Sequence, residues 1–117
     1  MTALSVAWQD IIDFNDEHFP RWRETDLIYL TNAMAGEVGE VCGDAKRMAG
    51  GGTKSFKEKP RPSPKQLLTE VADVFIYSIL IAEGLGYGQE EFASVVMDKM
   101  AVNRERMRVR TPENQKP

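Results

Sequence analysis

Apolar residues recur along this chain at the spacing of a helical face, and no segment alternates with the two-residue period of a half-buried strand. Leu4, Trp8, Ile11, Ile12 and Phe14 predict a first helix from about Ala3 to Glu17, which Pro20 stops. Thr25 or Asp26 can cap a second, running to about Met48 and ended by Gly50, Gly51 and Gly52. Residues 50–63 (GGGTKSFKEKPRPS) read as a basic Gly/Pro-rich loop. A third helix has a clear start, with Ser63 at the N-cap, Pro64 at the first helical position and Gln66 as capping-box partner, and it runs to Leu85 before Gly86 and Gly88. A fourth spans about Gln89 to Arg108, with Glu90 and Glu91 in its first turn, where the helix dipole favours acids. The expected fold is all-α: a small four-helix bundle in one domain over 1–117, with a frayed tail at 110–117.

Length and composition narrow the chemistry. At 117 residues, with 42% apolar and 28% charged side chains, the chain fits one globular domain rather than two or a disordered segment. A single cysteine, Cys42, leaves no internal disulfide, and a single histidine, His18, removes any site needing two histidines. The net charge of −3 carries no nucleic-acid signature. The charge is arranged in blocks: net −7 over 1–45, +6 over 46–65, −6 over 66–98 and +4 over 99–117. Such blocks suit either a salt-bridged surface or an anionic substrate held through a metal. The start MTALSVAWQD lacks a basic region followed by an apolar run, so no secretory leader is expected. The longest apolar stretch, Val74 to Ala82, is far short of the roughly 20 residues that span a bilayer. A cytoplasmic protein without membrane or nucleic-acid partners is expected.

Two acidic pairs stand out. Glu37-Val-Gly-Glu40 falls on the second helix and Glu70-Val-Ala-Asp73 on the third, and the i, i+3 spacing puts each pair on one face. With Glu37 at zero, Glu40 lies at about −60° and Asp44 at about −20°, and Ala33, at about −40° one turn earlier, leaves room beside them. Met34, Val38, Val41, Cys42 and Ala45 form the adjoining apolar face, which makes Cys42 a small core residue. The third helix is apolar in almost every direction and is expected to be buried, with Gln66, Glu70, Asp73 and Tyr77 confined to one stripe. Buried acids facing other acids repel and hold their protons, and a divalent cation relieves both costs. All-oxygen ligation selects a hard ion, Mg²⁺ or Mn²⁺. A di-iron bundle would want two Glu-x-x-His pairs, which the chain does not have. On exposed helices either acidic pair would carry no meaning, and solvent is a sufficient explanation for the second helix.

On the fourth helix, Phe92, Val95 and Val96 mark an inward side that continues, within about 60°, into Lys99, Asn103 and Arg106. That succession suits a phosphate grip, and equally a helix running past its core into solvent. Trp22 or Phe19 could stack on a flat ligand, and Trp22 could as well be a core or interface aromatic. GGGTKS lacks the Gly-Lys-Ser/Thr order of a phosphate-binding loop. His18 reads as a surface or capping residue. Met34, Met48, Met97, Met100 and Met107 read as core.

Three segments carry a resemblance: AGEVGEVCGDAKR around Glu37 and Glu40, LLTEVADVFIYSILIA around Glu70 and Asp73, and DKMAVNRERMR from Asp98 to Arg108. In this order, over residues 35–108, the chain resembles the MazG-like, all-α nucleoside triphosphate pyrophosphohydrolases. The resemblance implies that Glu37, Glu40, Glu70 and Asp73 bind Mg²⁺. It also implies cleavage between the α and β phosphates of a (deoxy)nucleoside triphosphate, giving a monophosphate and pyrophosphate, as in clearing a nucleotide pool. It implies a homodimer or homotetramer, in which a second chain completes the helical bundle. Tyr77 matches a tyrosine of the deoxycytidine-triphosphatase branch, and Lys99 and Asn103 match the segment that contacts phosphate and sugar. Lys99 and Arg106 would neutralise the β and γ phosphates. Glu40 is assigned to water activation, although nothing in the sequence singles it out from the other acids. The spacer of 29 residues between Glu40 and Glu70 is at or beyond the long end for the family, and His18-Phe19-Pro20-Arg21-Trp22 matches the base-binding segment only loosely. Phosphoribosyl-ATP pyrophosphohydrolase is an alternative enzyme. A non-catalytic dimerisation or regulatory module is the alternative outside enzymology.

Overall fold

Capping chemistry sets most of the helix boundaries. In a computed structural model, which describes residues 1–50 and 61–110, four α-helices and one short 3₁₀ turn account for the regular structure, with no strand among the described residues. Helix α1 covers Ala3–His18, α2 Leu27–Met48, α3 Pro64–Gly84 and α4 Gln89–Arg108, and the 3₁₀ turn covers Trp22–Glu24. The Thr2 hydroxyl accepts from the Ser5 N–H at 3.1 Å, and the Ser5 hydroxyl takes the Thr2 N–H at 2.9 Å. Ser63 and Gln66 repeat this reciprocal box on α3, with Pro64 in the first turn. Asp26 caps α2 through the Ile28 N–H at 3.0 Å. After α2, Gly50 takes a φ of +78°, and after α3, Gly86 takes +91°; both values suit glycine and end the helices. Most of the predicted loop at 50–63 and of the tail at 110–117 lies outside the described residues.

The chain divides into two compact units, Met1–Leu85 and Gly86–Pro117. In the first, the main helix contact joins α2 to α3, and a smaller one joins α1 to α3. The pairing of α2 with α3 runs in opposite chain directions. Leu30 Cδ1 comes within 3.7 Å of the point where a Cβ on Gly84 would sit, and Ser78 Oγ lies 3.7 Å from Met34 Sδ. Further along, Glu37 meets Asp73, and Glu40 meets Glu70. The core holds Trp8, Ile12, Trp22, Leu30, Ile79, Leu80 and Ala82. Trp8 ties α1 to the end of α3 by donating its indole N–H to Glu83 at 2.8 Å. No helix of the described residues is long and apolar enough to cross a membrane.

The expected all-round burial of α3 is not found among the described residues. Only Ile79, Leu80 and Ala82 of this helix are buried, while Leu68 is 65% exposed, and Val71 and Phe75 about 40%. Two packed neighbours cannot cover a helix that is apolar on every side. Cys42 is exposed, not core, because the contact face of α2 is set by Leu30, Met34 and Glu37 and leaves Cys42 outside it. In the second unit, α4 has no buried residue, and Val95, Val96, Met97, Met100 and Met107 are exposed rather than core.

Burial ranks the stability effects. Ile79→Ala, at the one fully buried side chain among the described residues, is expected to cost about 2–5 kcal/mol. Ser63→Ala, which removes the α3 cap, is expected to cost about 1 kcal/mol. Urea unfolding followed by circular dichroism checks both values and their order.

Candidate metal and substrate site

The antiparallel register of α2 and α3 determines what the two acidic pairs do. Each pair occupies one face of its helix, and these faces meet. One carboxylate oxygen each from Glu37, Glu70 and Asp73 lies within 4.8 Å of the others. All three residues are half-buried. Glu37 Oε2 is sealed from solvent and has no hydrogen-bond partner among the described residues. A buried carboxylate oxygen in that state is costly unless a cation or a proton meets it. Three hard oxygen donors at this spacing fit a Mg²⁺ or Mn²⁺ ion.

The charges respond as crowding requires. Burial raises the Glu37 carboxyl above its ordinary value, and the charges of Glu40 and Asp73 push it further. Glu70 is also raised, first by burial, then by a hydrogen bond that its protonated form donates to Glu40, then by the charges of Glu40, Asp44 and Asp73. Glu40 stands at the edge of this cluster, exposed, on a groove of about 550 Å³ shared with Asp44, Arg47 and Glu70. Gly36, Gly39 and Gly43 line the groove, and a Cβ on any of them would meet no atom within 4 Å, so α2 presents bare backbone beside the acids. Asp44 belongs to the same stripe in sequence, but Arg47 pairs with it one turn later and compensates its charge.

A second cavity, of about 540 Å³, opens where the end of α1, the 3₁₀ turn, α2 and α3 converge. Phe19, Pro20, Trp22, Leu30 and Leu80 make it mostly apolar, and Tyr29 and Tyr77 add two phenols. Tyr77 connects it to the acid cluster, one turn of α3 beyond Asp73. Burial raises the Tyr77 hydroxyl above its ordinary value, and the charges of Glu37, Tyr29 and Asp73 act in the same direction. A flat ring in this cavity would have the carboxylates to one side of it.

Trp22 takes the core role of its two readings. It is 5% exposed, donates its indole N–H to Asp16 at 2.8 Å, and carries the Arg23 guanidinium over its ring at 4.5 Å. The hydrogen bond from Trp22, and then the one from the Arg23 guanidinium, hold Asp16 below the ordinary carboxylate range. Trp22 still lines the cavity, as a fixed wall. His18 stacks on Phe14 at 4.5 Å at the end of α1 and does not line the cavity. The structure thus brings together Glu37, Glu40, Glu70, Asp73 and Tyr77, with Trp22 on the far wall. Lys99, Asn103 and Arg106 lie on α4 in the second unit; Lys99 and Arg106 are exposed, and the Asn103 amide is 3.8 Å from Met100 Sδ. Sequence reasoning missed Asn15, Thr25 and Tyr29 in the cavity wall. Only the helical register of α1 against Trp22 could have pointed to Asn15.

No protein-family model, curated protein or solved structure matches the chain.

The raised carboxyls give a stability test. Glu37 and Glu70 bind protons more tightly in the folded chain than in the unfolded one, so the folded state holds more protons. Their protonation therefore stabilises the fold at low pH, and this contribution is lost as pH rises from about 4.5 through the raised values. In the presence of chelator, Glu70→Gln is expected to melt higher than wild type at pH 7.5, and the gap is expected to narrow toward pH 5. Thermal melts of both proteins across that range check the sign.

Proposed function

We propose that this protein is a Mg²⁺-dependent hydrolase of the MazG-like kind that converts (deoxy)nucleoside triphosphates to monophosphate and pyrophosphate. The observation that carries the reading is the convergence of Glu37, Glu70 and Asp73 within 4.8 Å, one residue from α2 and two from α3. Glu37, Glu70 and Asp73 would hold the ion, with Glu40 at their edge. When bound, the ion would neutralise phosphate oxygens and the charge that develops on the pyrophosphate leaving group.

The protein's own groups supply the remaining requirements. Without a cation the acid cluster would repel a triphosphate, so the same residues that bind the ion make turnover depend on it. Glu40 lies outside the three-oxygen cluster and faces the open groove, where it would orient an attacking water and accept its proton. The aromatic cavity beside the cluster suits a nucleobase, and Tyr77, between the two, is placed to fix the sugar or base against the acids. The resemblance assigns Lys99 and Asn103 to the phosphates and sugar, and the positive charge of Arg106 suits a phosphate. It also implies that a homodimer or homotetramer is the working form, and the uncovered Leu68, Val71 and Phe75 on α3 support that.

Product analysis tests the reading. Purified protein with Mg²⁺ is expected to convert at least one common ribo- or deoxyribonucleoside triphosphate to monophosphate plus pyrophosphate. Chelator is expected to stop the reaction, and Glu70→Gln to reduce turnover by at least about a hundredfold. Diphosphate plus orthophosphate would show a different chemistry. No turnover by wild type, with equal melting of wild type and Glu70→Gln in Mg²⁺, would contradict the reading and favour a non-catalytic module.

A further inference from the structure

The cavity beside the acid cluster is built mainly of apolar and aromatic surface, so whatever polar groups remain available in its wall decide which rings it accepts. Two of its polar groups are already engaged. The Trp22 indole N–H is given to Asp16 at 2.8 Å, and the Arg21 guanidinium is paired with Glu24 at 2.8 Å with its side chain 87% exposed to solvent. The phenols of Tyr29 and Tyr77 and the hydroxyl of Thr25 are single-atom groups that rotate to give or take one hydrogen bond. Asn15 is different. It is half-buried, it lines the same cavity, and its carboxamide carries a donor and an acceptor side by side in one plane. Its backbone is fixed, because α1 is boxed at Thr2 and the Asn15 carbonyl accepts the Phe19 N–H at 2.8 Å where the helix ends.

Resting on the hydrolase reading above, we infer that Asn15 is the specificity-determining residue of this cavity. Its carboxamide pairs with the edge of a six-membered heterocycle that presents a hydrogen-bond donor next to an acceptor. Such edges occur in two complementary forms. An amino group beside a bare ring nitrogen is one, and a carbonyl beside a ring N–H is the other. In one orientation the carboxamide satisfies one form and opposes both atoms of the other, and only a half-turn of the amide exchanges the two. A site built to hydrogen-bond its ligand rejects an analogue with the wrong polar edge far more strongly than an apolar wall rejects a change of size. Discrimination between bases should therefore lie at Asn15 rather than in the aromatic walls, which every base can contact.

The test uses two substrate pairs that differ at this edge alone: CTP against UTP, and ATP against ITP. With Mg²⁺ and the full-length chain, kcat/KM is measured for wild type and for Asn15→Leu, which keeps the branched outline and removes both polar atoms. Wild type is expected to prefer one member of its better pair by about tenfold or more. Asn15→Leu is expected to bring that ratio to within about threefold of unity while the Mg²⁺ dependence is unchanged. Asn15→Asp keeps the shape but has no N–H, and it is expected to move the ratio at least fivefold. Retention of the wild-type ratio in both variants, or a uniform loss on all four substrates with the ratio intact, would show a structural role and overturn the inference while the hydrolase reading stands. A wild-type ratio near unity in both pairs would overturn it in the same way. Failure of wild type to hydrolyse any of the four, or their deoxy forms, would overturn the hydrolase reading and this inference together.

Discussion

Three carboxyl groups within 4.8 Å of one another, each withdrawn in part from water, are the constraint around which this chain is organised. Burial first, and then their mutual repulsion, raises the carboxyls of Glu37 and Glu70 above the ordinary range. The α2–α3 contact must supply enough burial to hold them there. It does so at one end, where Leu30 and Met34 of α2 meet Gly84 and Ser78 of α3 and where Ile79 and Leu80 are buried. The acids sit further along the same contact. The packed end and the acidic end belong to one pair of contacting helices, so separating the carboxylates would disturb the core. A group held in an unfavourable electrostatic state by well-packed structure is a common mark of a working site.

Much of this was legible in the sequence, for local reasons. Ser63-Pro64-Lys65-Gln66 specifies a helix start through its own side chains, and Asp26, Gly50 and Gly86 act equally locally. The acidic pairs were legible as faces because i, i+3 spacing fixes direction on a helix. That the faces meet depends on the antiparallel register, which the 29-residue spacer permits but does not dictate.

What the sequence did not disclose depends on partners in space. The apolarity of α3 says that it wants cover, not who provides it, so Leu68, Val71 and Phe75 are exposed in a helix expected to be buried. Cys42 has the character of a core residue but is exposed, because apolar character alone does not say which stripe of α2 meets α3. Trp22 became a fixed wall because Asp16, six residues earlier, takes its N–H, while Arg23 covers its ring. Asn15 has no motif around it and is brought to the cavity only by the turn after α1 and the closure of the 3₁₀ segment. Chemistry carried by short spacings was readable, and chemistry assembled by a cavity was not.

The central claim is that α2 and α3 together form one divalent-cation site. Titration with Mn²⁺, followed by the electron paramagnetic resonance of the free ion, tests it without reference to turnover. The expected result is saturable binding to the wild-type protein at a fixed stoichiometry per chain, competed by Mg²⁺ and abolished by Asp73→Asn on α3 as well as by Glu37→Gln on α2. Absence of saturable binding, or binding that survives both substitutions, would contradict the account.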